Sequence, residues 1–233
     1  MTTVEEALTM VPVTRLVHFT PVSNLTGIFT DGQVRATHDL ALDPMPHHSV
    51  TDDVRGDGNP DLVCCTFEYP NPYYEAIARN KQEFRNYPIW VCLILNRDLV
   101  TEPGTLFFPC NAAKHSGVHG QEGGDAMLAM WDSPSDVGNW VRGPNHNPGV
   151  PTDLQAEVQI PGPIPLSAVK AIVVASKAQA EEVYCWLQML GARPERVQWK
   201  VAPLLFDKWQ LIFAIQKGSP ITETVIAPTG VVP

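Results

Sequence analysis

A single carboxylate stands inside an apolar run at Asp153-Leu154-Gln155-Ala156-Glu157-Val158-Gln159-Ile160-Pro161. Read as a strand, this run puts Gln155, Glu157 and Gln159 on one face and Ala156, Val158 and Ile160 on the other. The apolar face suits a core, which leaves Glu157 looking into whatever lies across. A carboxylate so placed can stabilise positive charge developing on a substrate, or take a proton from an attacking atom. It can equally be an edge-strand carboxylate that only meets water.

A second segment, Arg15-Leu16-Val17-His18-Phe19-Thr20-Pro21, alternates in the same way. It places Leu16 and His18 on one face and Val17 and Phe19 on the other. Ser23 or Asn24 can cap a short helix carrying Leu25, Ile28 and Phe29 at helical spacing, and Gly32 can take the left-handed conformation that ends it. An imidazole donates and accepts hydrogen bonds, which suits a sugar diol; the alternative is a core histidine bonded to backbone.

Other chemistries find less support. Seven histidines invite a metal. However, His47 and His48 are adjacent and diverge, while His115 and His119 sit in a glycine-rich loop with no cysteine or carboxylate at zinc spacing. No metal is expected. No Gly-x-Gly-x-x-Gly follows a strand, and there is no phosphate loop or Gly-x-Ser-x-Gly elbow.

The 233 residues suit one elaborate domain, and 44% hydrophobic against 18% charged residues is enough for a core. A net charge of −9 argues against coating long nucleic acids but not against touching a few nucleotides. No apolar run reaches the ~18 residues that span a bilayer, and the N-terminus lacks a basic-then-apolar signal, so a cytoplasmic protein without membrane contact is expected. Five cysteines without Cys-x-x-Cys spacing read as reduced thiols. Arg79, Lys81 and Arg85, downstream of Tyr73 and Tyr74, form the nearest thing to a basic patch, or else the solvated face of a helix.

Strands are expected at 16–19, 62–67, 89–95, 105–108, 156–160 and 169–175, with another near 197–201. Helices are expected at 24–30, 72–85 and 177–190. The last carries the clearest signals, with Ser176 as cap, Gly191 as stop and Val183, Trp186, Leu187 and Leu190 as its apolar stripe. Segments 37–61 and 113–151 read as long irregular loops, which in compact domains are commonly functional. The fold class is therefore α+β, with two small antiparallel-rich sheets around a cleft and peripheral helices. One domain over 15–210 is expected, with a lead-in at 1–14, of which 1–10 reads as a poorly anchored segment or a short helix, and an extension at 211–233.

A strand carrying His-x-Thr, then a short helix and a glycine turn, resembles the opening of the ADP-ribosyltransferase fold. More narrowly, His18-Phe19-Thr20 with Asn24-Leu25, Gly27 and Ile28 resembles the start of the DarT family of DNA ADP-ribosyltransferase toxins. The Gln155-Ala156-Glu157 strand is similar to that family's catalytic-glutamate strand. Phe108-Pro109-Cys110-Asn111-Ala112-Ala113 resembles its Asp-Gly-Asn-Ala-Ala segment, with Pro-Cys in place of Asp-Gly. Asn71-Pro72-Tyr73-Tyr74 stands where the family has Arg-Ser-Pro-Met-Leu-Tyr. The likeness runs, with gaps, from about Arg15 to about Trp209.

The resemblance implies an NAD cleft and transfer of ADP-ribose to thymine or guanine in single-stranded DNA, with RNA or protein as alternative acceptors. A catalytically silent nucleotide-binding member is the reading from another class. It implies Glu157 as the catalytic carboxylate and, as a second catalytic residue, an arginine that meets the NAD phosphates and shapes the site, a role that falls to Arg55, the only Arg or Lys between Arg35 and Arg79. His18, Phe19, Thr20, Asn24 and Tyr74 would also hold NAD. Tyr73, Lys114, His115, Trp131, Trp140 and Arg142 would meet the DNA strand. The implied partner is an antitoxin bearing a macrodomain-type ADP-ribose hydrolase, and the chain itself is expected to be a monomer.

Overall fold

A computed structural model of the chain describes residues 1–43, 56–81, 89–135 and 137–230. In chain order, helix α1 (Val4–Met10) precedes strand β1 (Arg15–Pro21), helix α2 (Asn24–Asp31), the short β2 (Gln33–Val34) and α3 (Thr37–Ala41). Strand β3 (Leu62–Phe67), helix α4 (Pro72–Ala78), β4 (Trp90–Asn96), β5 (Leu106–Phe108) and α5 (Gly124–Ala129) follow. Then come β6 (Glu157–Pro161), β7 (Ile164–Pro165), β8 (Val169–Val174), α6 (Lys177–Met189), β9 (Gln198–Val201), α7 (Lys208–Lys217) and β10 (Thr224–Ile226).

Eight of these strands form one sheet in the order β10-β9-β8-β4-β1-β3-β6-β5, and β2 pairs with β7 apart from it. The continuous apolar run of β4 fits its central place, buried on both faces. On one face Leu16, Leu93, Leu95 and Ile172 pack with Leu25, Ile28 and Leu187 from α2 and α6. On the other, Val17, Ile94 and Val173 pack with Leu211, Ile212 and Ile215 from α7. Among the described residues only β8 and β9 run parallel, and α6 makes the crossover that such a pair requires.

The pairing is uneven at one place. β1 is registered to β4 over seven residue pairs, from Arg15↔Asn96 to Pro21↔Trp90. To β3 it is registered over two, Leu16↔Phe67 and Val17↔Thr66. The two sheets expected from the sequence are thus halves joined at a narrow seam, and beyond it they part.

Local signals placed most elements within a residue or two. The Ser176 hydroxyl accepts from Gln179 N–H to open α6, and Gly32, at φ 68°, closes α2 by donating to the Ile28 carbonyl. In α6, Val183 and Leu187 are buried as expected, whereas Leu190 is exposed. Asn71 caps α4 by accepting from the amides of Tyr73 and Tyr74. That helix ends at Ala78; part of its expected extent to 85 lies outside the described residues. Segment 113–151 is not all loop, because α5 lies within it.

Both chain ends pack into the fold, the first through the short helix, one of its two expected readings. The lead-in is anchored: Thr3 and Glu6 form a reciprocal capping box on α1, Ala7, Leu8, Val11 and Val13 are buried, and Gly124 N–H donates to the Thr2 carbonyl. The expected boundary at 210 falls inside α7, whose buried stripe completes one core. β10 then extends the sheet beside β9. Just before it, the Glu223 carboxylate pairs with Arg15 at 2.5 Å and Lys200 at 3.0 Å. Among the described residues, no helix is long and apolar enough to cross a membrane.

Burial alone would raise the Glu223 carboxyl's pKa, but the Arg15 and Lys200 contacts outweigh it and hold it below its ordinary 4.5. Its stabilisation is therefore complete above pH 4.5 and lost as pH falls through the depressed native value. Replacing Glu223 with Ala leaves the Arg15 guanidinium short of a partner. We expect a loss of about 2–3 kcal/mol in urea unfolding at pH 7, shrinking towards zero in acid. Unchanged stability at pH 7 would show that the 219–230 segment does not hold the fold.

Candidate active site

Where β1 and β3 part, a cavity opens with about 920 Å³ of empty space, continuous with solvent. One wall is Val17, His18 and Phe19 of β1; another is β3 from Leu62 to Thr66. Asn71 and Tyr74 at the start of α4, Asn111 to Ala113 after β5, and Glu157 at the start of β6 close it. His18 and Glu157 thus share one cavity.

His18 bridges the seam. Its Nδ1–H donates to the Cys64 carbonyl at 2.9 Å, taking up a backbone acceptor at the point where the strands diverge. Because a carbonyl only accepts, this bond assigns the proton to Nδ1. Burial lowers the imidazole pKa, outweighing the carbonyl contact that raises it, so the ring is neutral at pH 7 and Nε2 remains an acceptor. The expected donate-and-accept role narrows accordingly: the ring is left to accept from a sugar hydroxyl.

Glu157 begins β6 opposite Phe108 of β5. Its Oε1 accepts from the Ala112 N–H at 3.3 Å, while the Asn111 side chain accepts from Ala113 N–H at 2.9 Å and shapes that turn. Burial first, and then the negative charge of Glu157, push the neighbouring Cys65 thiol well above its ordinary range. That thiol stays protonated.

Gln155 lies in the turn before β6, so it does not flank Glu157 within the strand. Gln159 is fully buried, and its amide clamps a distant loop. Its Nε2–H donates to Asp57 Oδ2 at 2.6 Å, and its Oε1 accepts from Asn59 Nδ2 at 3.1 Å. The turn after β5 presses on the same loop. Gly117, at φ 82°, has no room for a side chain, since a Cβ there would lie 2.1 Å from the Asp57 carbonyl oxygen.

The other expected site residues divide. Phe19 lines the cavity and stacks on Trp90 at 4.8 Å, and Tyr74 lines the opposite wall. Thr20 and Asn24 are not in the lining; both are buried, and the Asn24 amide donates to the Thr20 hydroxyl at 2.9 Å. Arg55 lies outside the described residues. Lys114 follows the lining residue Ala113, and Tyr73 meets Trp140 edge-on at 6.5 Å. His115 and His119 share a 2.9 Å hydrogen bond between ring nitrogens, and no group of three potential metal ligands occurs among the described residues.

Two residues expected to meet the DNA strand also brace the fold. Trp131 packs on Phe67 with ring centres 5.4 Å apart and donates its indole N–H to the Pro148 carbonyl. Arg142 donates to the Val150 and Asn147 carbonyls, each at 2.8 Å, and so braces the 147–150 turn. These bonds hold both side chains in place while leaving each partly exposed.

A family model described as "ssDNA thymidine ADP-ribosyltransferase, DarT" matches residues 17–206. The chain belongs to the DarT family. Among solved structures, Thermus sp. 2.9 DarT in complex with NAD+ shares the fold at TM-score 0.50 and 19% identity, over 78% of this chain and 92% of that one. Thermus sp. 2.9 DarT in complex with ADP-ribosylated ssDNA matches at TM-score 0.53 and 18% identity, over 83% and 96%. Thermosipho africanus DarTG in complex with ADP-ribose matches at TM-score 0.55 and 11% identity, and this chain spans 51% of its length. No curated protein matches. The DarT match begins inside β1 and stops before α7, so α7 and β10 lie beyond it.

What the sequence did not disclose in this DarT-family site is its scaffolding: the Cys64 carbonyl, the Ala112 amide and the Asp57–Gln159–Asn59 clamp. Gln159 stood out only as a polar residue sharing the Glu157 face. Replacing it with Leu leaves buried Asp57 without that amide and releases Asn59. We expect a stability loss of about 1–3 kcal/mol and a KM for NAD raised about tenfold or more, as the loop beside the cavity loses its position. A KM at the wild-type value would confine Gln159 to packing.

Proposed function

We propose that this DarT-family enzyme transfers ADP-ribose from NAD to a thymine of single-stranded DNA, releasing nicotinamide. The observation that carries the proposal is the shared cavity of His18 and Glu157, with a neutral imidazole on β1 and a carboxylate on β6 facing one space. His18 Nε2 accepts from a hydroxyl of the nicotinamide ribose. Glu157 accepts from the ribose 2′-hydroxyl and fixes the sugar between the two strands. Tyr74 and Phe19 supply apolar walls for the nicotinamide side, and Arg55 is assigned to the NAD phosphates.

As the bond from nicotinamide to the ribose breaks, its electron pair leaves with nicotinamide and positive charge grows on the sugar carbon. The Glu157 carboxylate stabilises that charge, a pre-aimed interaction worth about 10²–10³ in rate. The ring nitrogen of thymine that bears hydrogen then forms the new bond, and its proton passes to Glu157, a step worth roughly 10²–10⁴. A stacked, paired base hides this nitrogen, which favours a single strand as acceptor. Lys114, His115, Tyr73 and Trp140 are assigned to that strand; Lys114 follows and Tyr73 precedes a residue that lines the cavity. Thymine rather than guanine follows the family description.

An enzyme that modifies DNA bases is harmful to its own cell, which supports a toxin role. It implies a neutralising partner that removes ADP-ribose from DNA, of the macrodomain hydrolase type. The toxin itself is proposed to act as a monomer in the cytoplasm.

Glu157→Gln retains an oxygen to accept from the Ala112 amide but loses the charge. It should lower transfer about 10³-fold or more while the melting temperature stays within a degree or two of wild type. Labelled NAD offered with separate pools of single-stranded DNA, RNA and protein provides the assay, and digestion to nucleosides names the base. Equal transfer by both proteins would remove Glu157 from the mechanism, and label confined to protein would overturn the DNA acceptor.

A further inference from the structure

Helix α7 lies beyond the family match, yet its first turn packs against Tyr73 of α4. Lys208 Nζ stands 4.5 Å from the centre of the Tyr73 ring and 5.0 Å from that of Trp209. Tyr73 meets Trp140 edge-on. Beyond Trp140, at Gly138, a built Cβ would lie 3.2 Å from the Trp140 indole and 3.4 Å from Lys114 Nζ, so that ammonium adjoins the indole. The row has two lysines and three aromatic rings. It lies next to the cavity along the chain, since Tyr74 and Ala113, the neighbours of Tyr73 and Lys114 in sequence, line the cavity with Glu157.

The exposures and partners of these groups are unusual for a packed surface. Trp209 is 71% exposed at the start of a helix whose opposite side is buried. Neither Lys114 nor Lys208 forms an ion pair with a described carboxylate. Lys114 acts on the buried Asp153 carboxylate through space, without an ion pair. Asp207 accepts from the amides of Trp209 and Gln210 as the α7 cap, and Asp153 is buried and accepts from Gln155 N–H.

We propose that Lys114, Trp140, Tyr73, Lys208 and Trp209 form a track for the nucleotides that flank the acceptor base of single-stranded DNA. The inference rests on the DNA-acceptor reading above and extends it onto α7. Ammonium groups between aromatic faces match a strand that alternates phosphates with unpaired bases, because every base has a stacking face and each phosphate releases counterions when neutralised. A local track also accommodates the acidic net charge of −9, since it needs a few placed cations rather than a basic surface. The ring–cation contacts pre-order Lys208, which lowers the entropy lost on binding.

The test compares a thymidine trinucleotide with a thymidine strand about nine nucleotides long, a length within the usual site sizes for single-strand binders. Equilibrium binding is measured on the full chain, and transfer from NAD is followed in parallel. Wild type should bind the longer strand about tenfold to a hundredfold more tightly. The double variant Lys208→Ala, Trp209→Ala should bind the two lengths with nearly equal affinity. Trp209→Phe, which keeps a stacking face, should retain most of the gain. Transfer by wild type without a length gain, or a double variant with the full gain, overturns the track alone. Transfer to neither strand by wild type removes the acceptor reading and the track together.

Discussion

Past Val17 and Thr66 the β1/β3 ladder stops, and the bond that next crosses the gap comes from a side chain, His18 Nδ1–H to the Cys64 carbonyl. This one contact lets a sheet open without stranding a buried acceptor. It also decides the chemistry of the ring, since a proton held on Nδ1 leaves Nε2 to accept. The same burial that makes room for a dinucleotide keeps the imidazole neutral. Fold and site therefore meet in a single hydrogen bond.

The remaining parts keep the opening rigid on both sides. β1 cannot drift, because it is zipped to β4 along its whole length and β4 is buried on both faces. Across the gap, β6 is locked between β3 and β5, which fixes the backbone under Glu157. Gln159, two residues along the same strand, ties the 57–59 loop to the same scaffold. A carboxylate held this way is aimed before substrate arrives, which is the condition under which electrostatic stabilisation is largest.

Much of this was legible in the chain itself. Period-two alternation placed His18 and Glu157 on strands, and glycine and serine punctuation set the ends of α2 and α6, because those signals act over neighbouring residues. Contacts between distant segments left no local trace. Asp57 and Asn59 meet Gln159 about 100 positions away, and nothing in a polar, glycine-containing loop announces that partner. The backbone bonds of Trp131 and Arg142 were hidden for the same reason: an indole or guanidinium in a loop has the same sequence appearance whether its donors meet water, a nucleotide or a backbone carbonyl. The expected boundary at 210 cuts α7, which begins at Lys208 but carries its buried residues only from Leu211 onward. Its core-facing residues Leu211 and Ile215 look like an extension until the empty face of the sheet is seen.

A structure of the chain with a non-hydrolysable NAD analogue puts the central claim to its most direct test. The account predicts the nicotinamide ribose between β1 and β6, with one hydroxyl about 3 Å from His18 Nε2 and the 2′-hydroxyl about 3 Å from the Glu157 carboxylate. An analogue bound elsewhere, or one whose nicotinamide ribose lies far from either side chain, would contradict it.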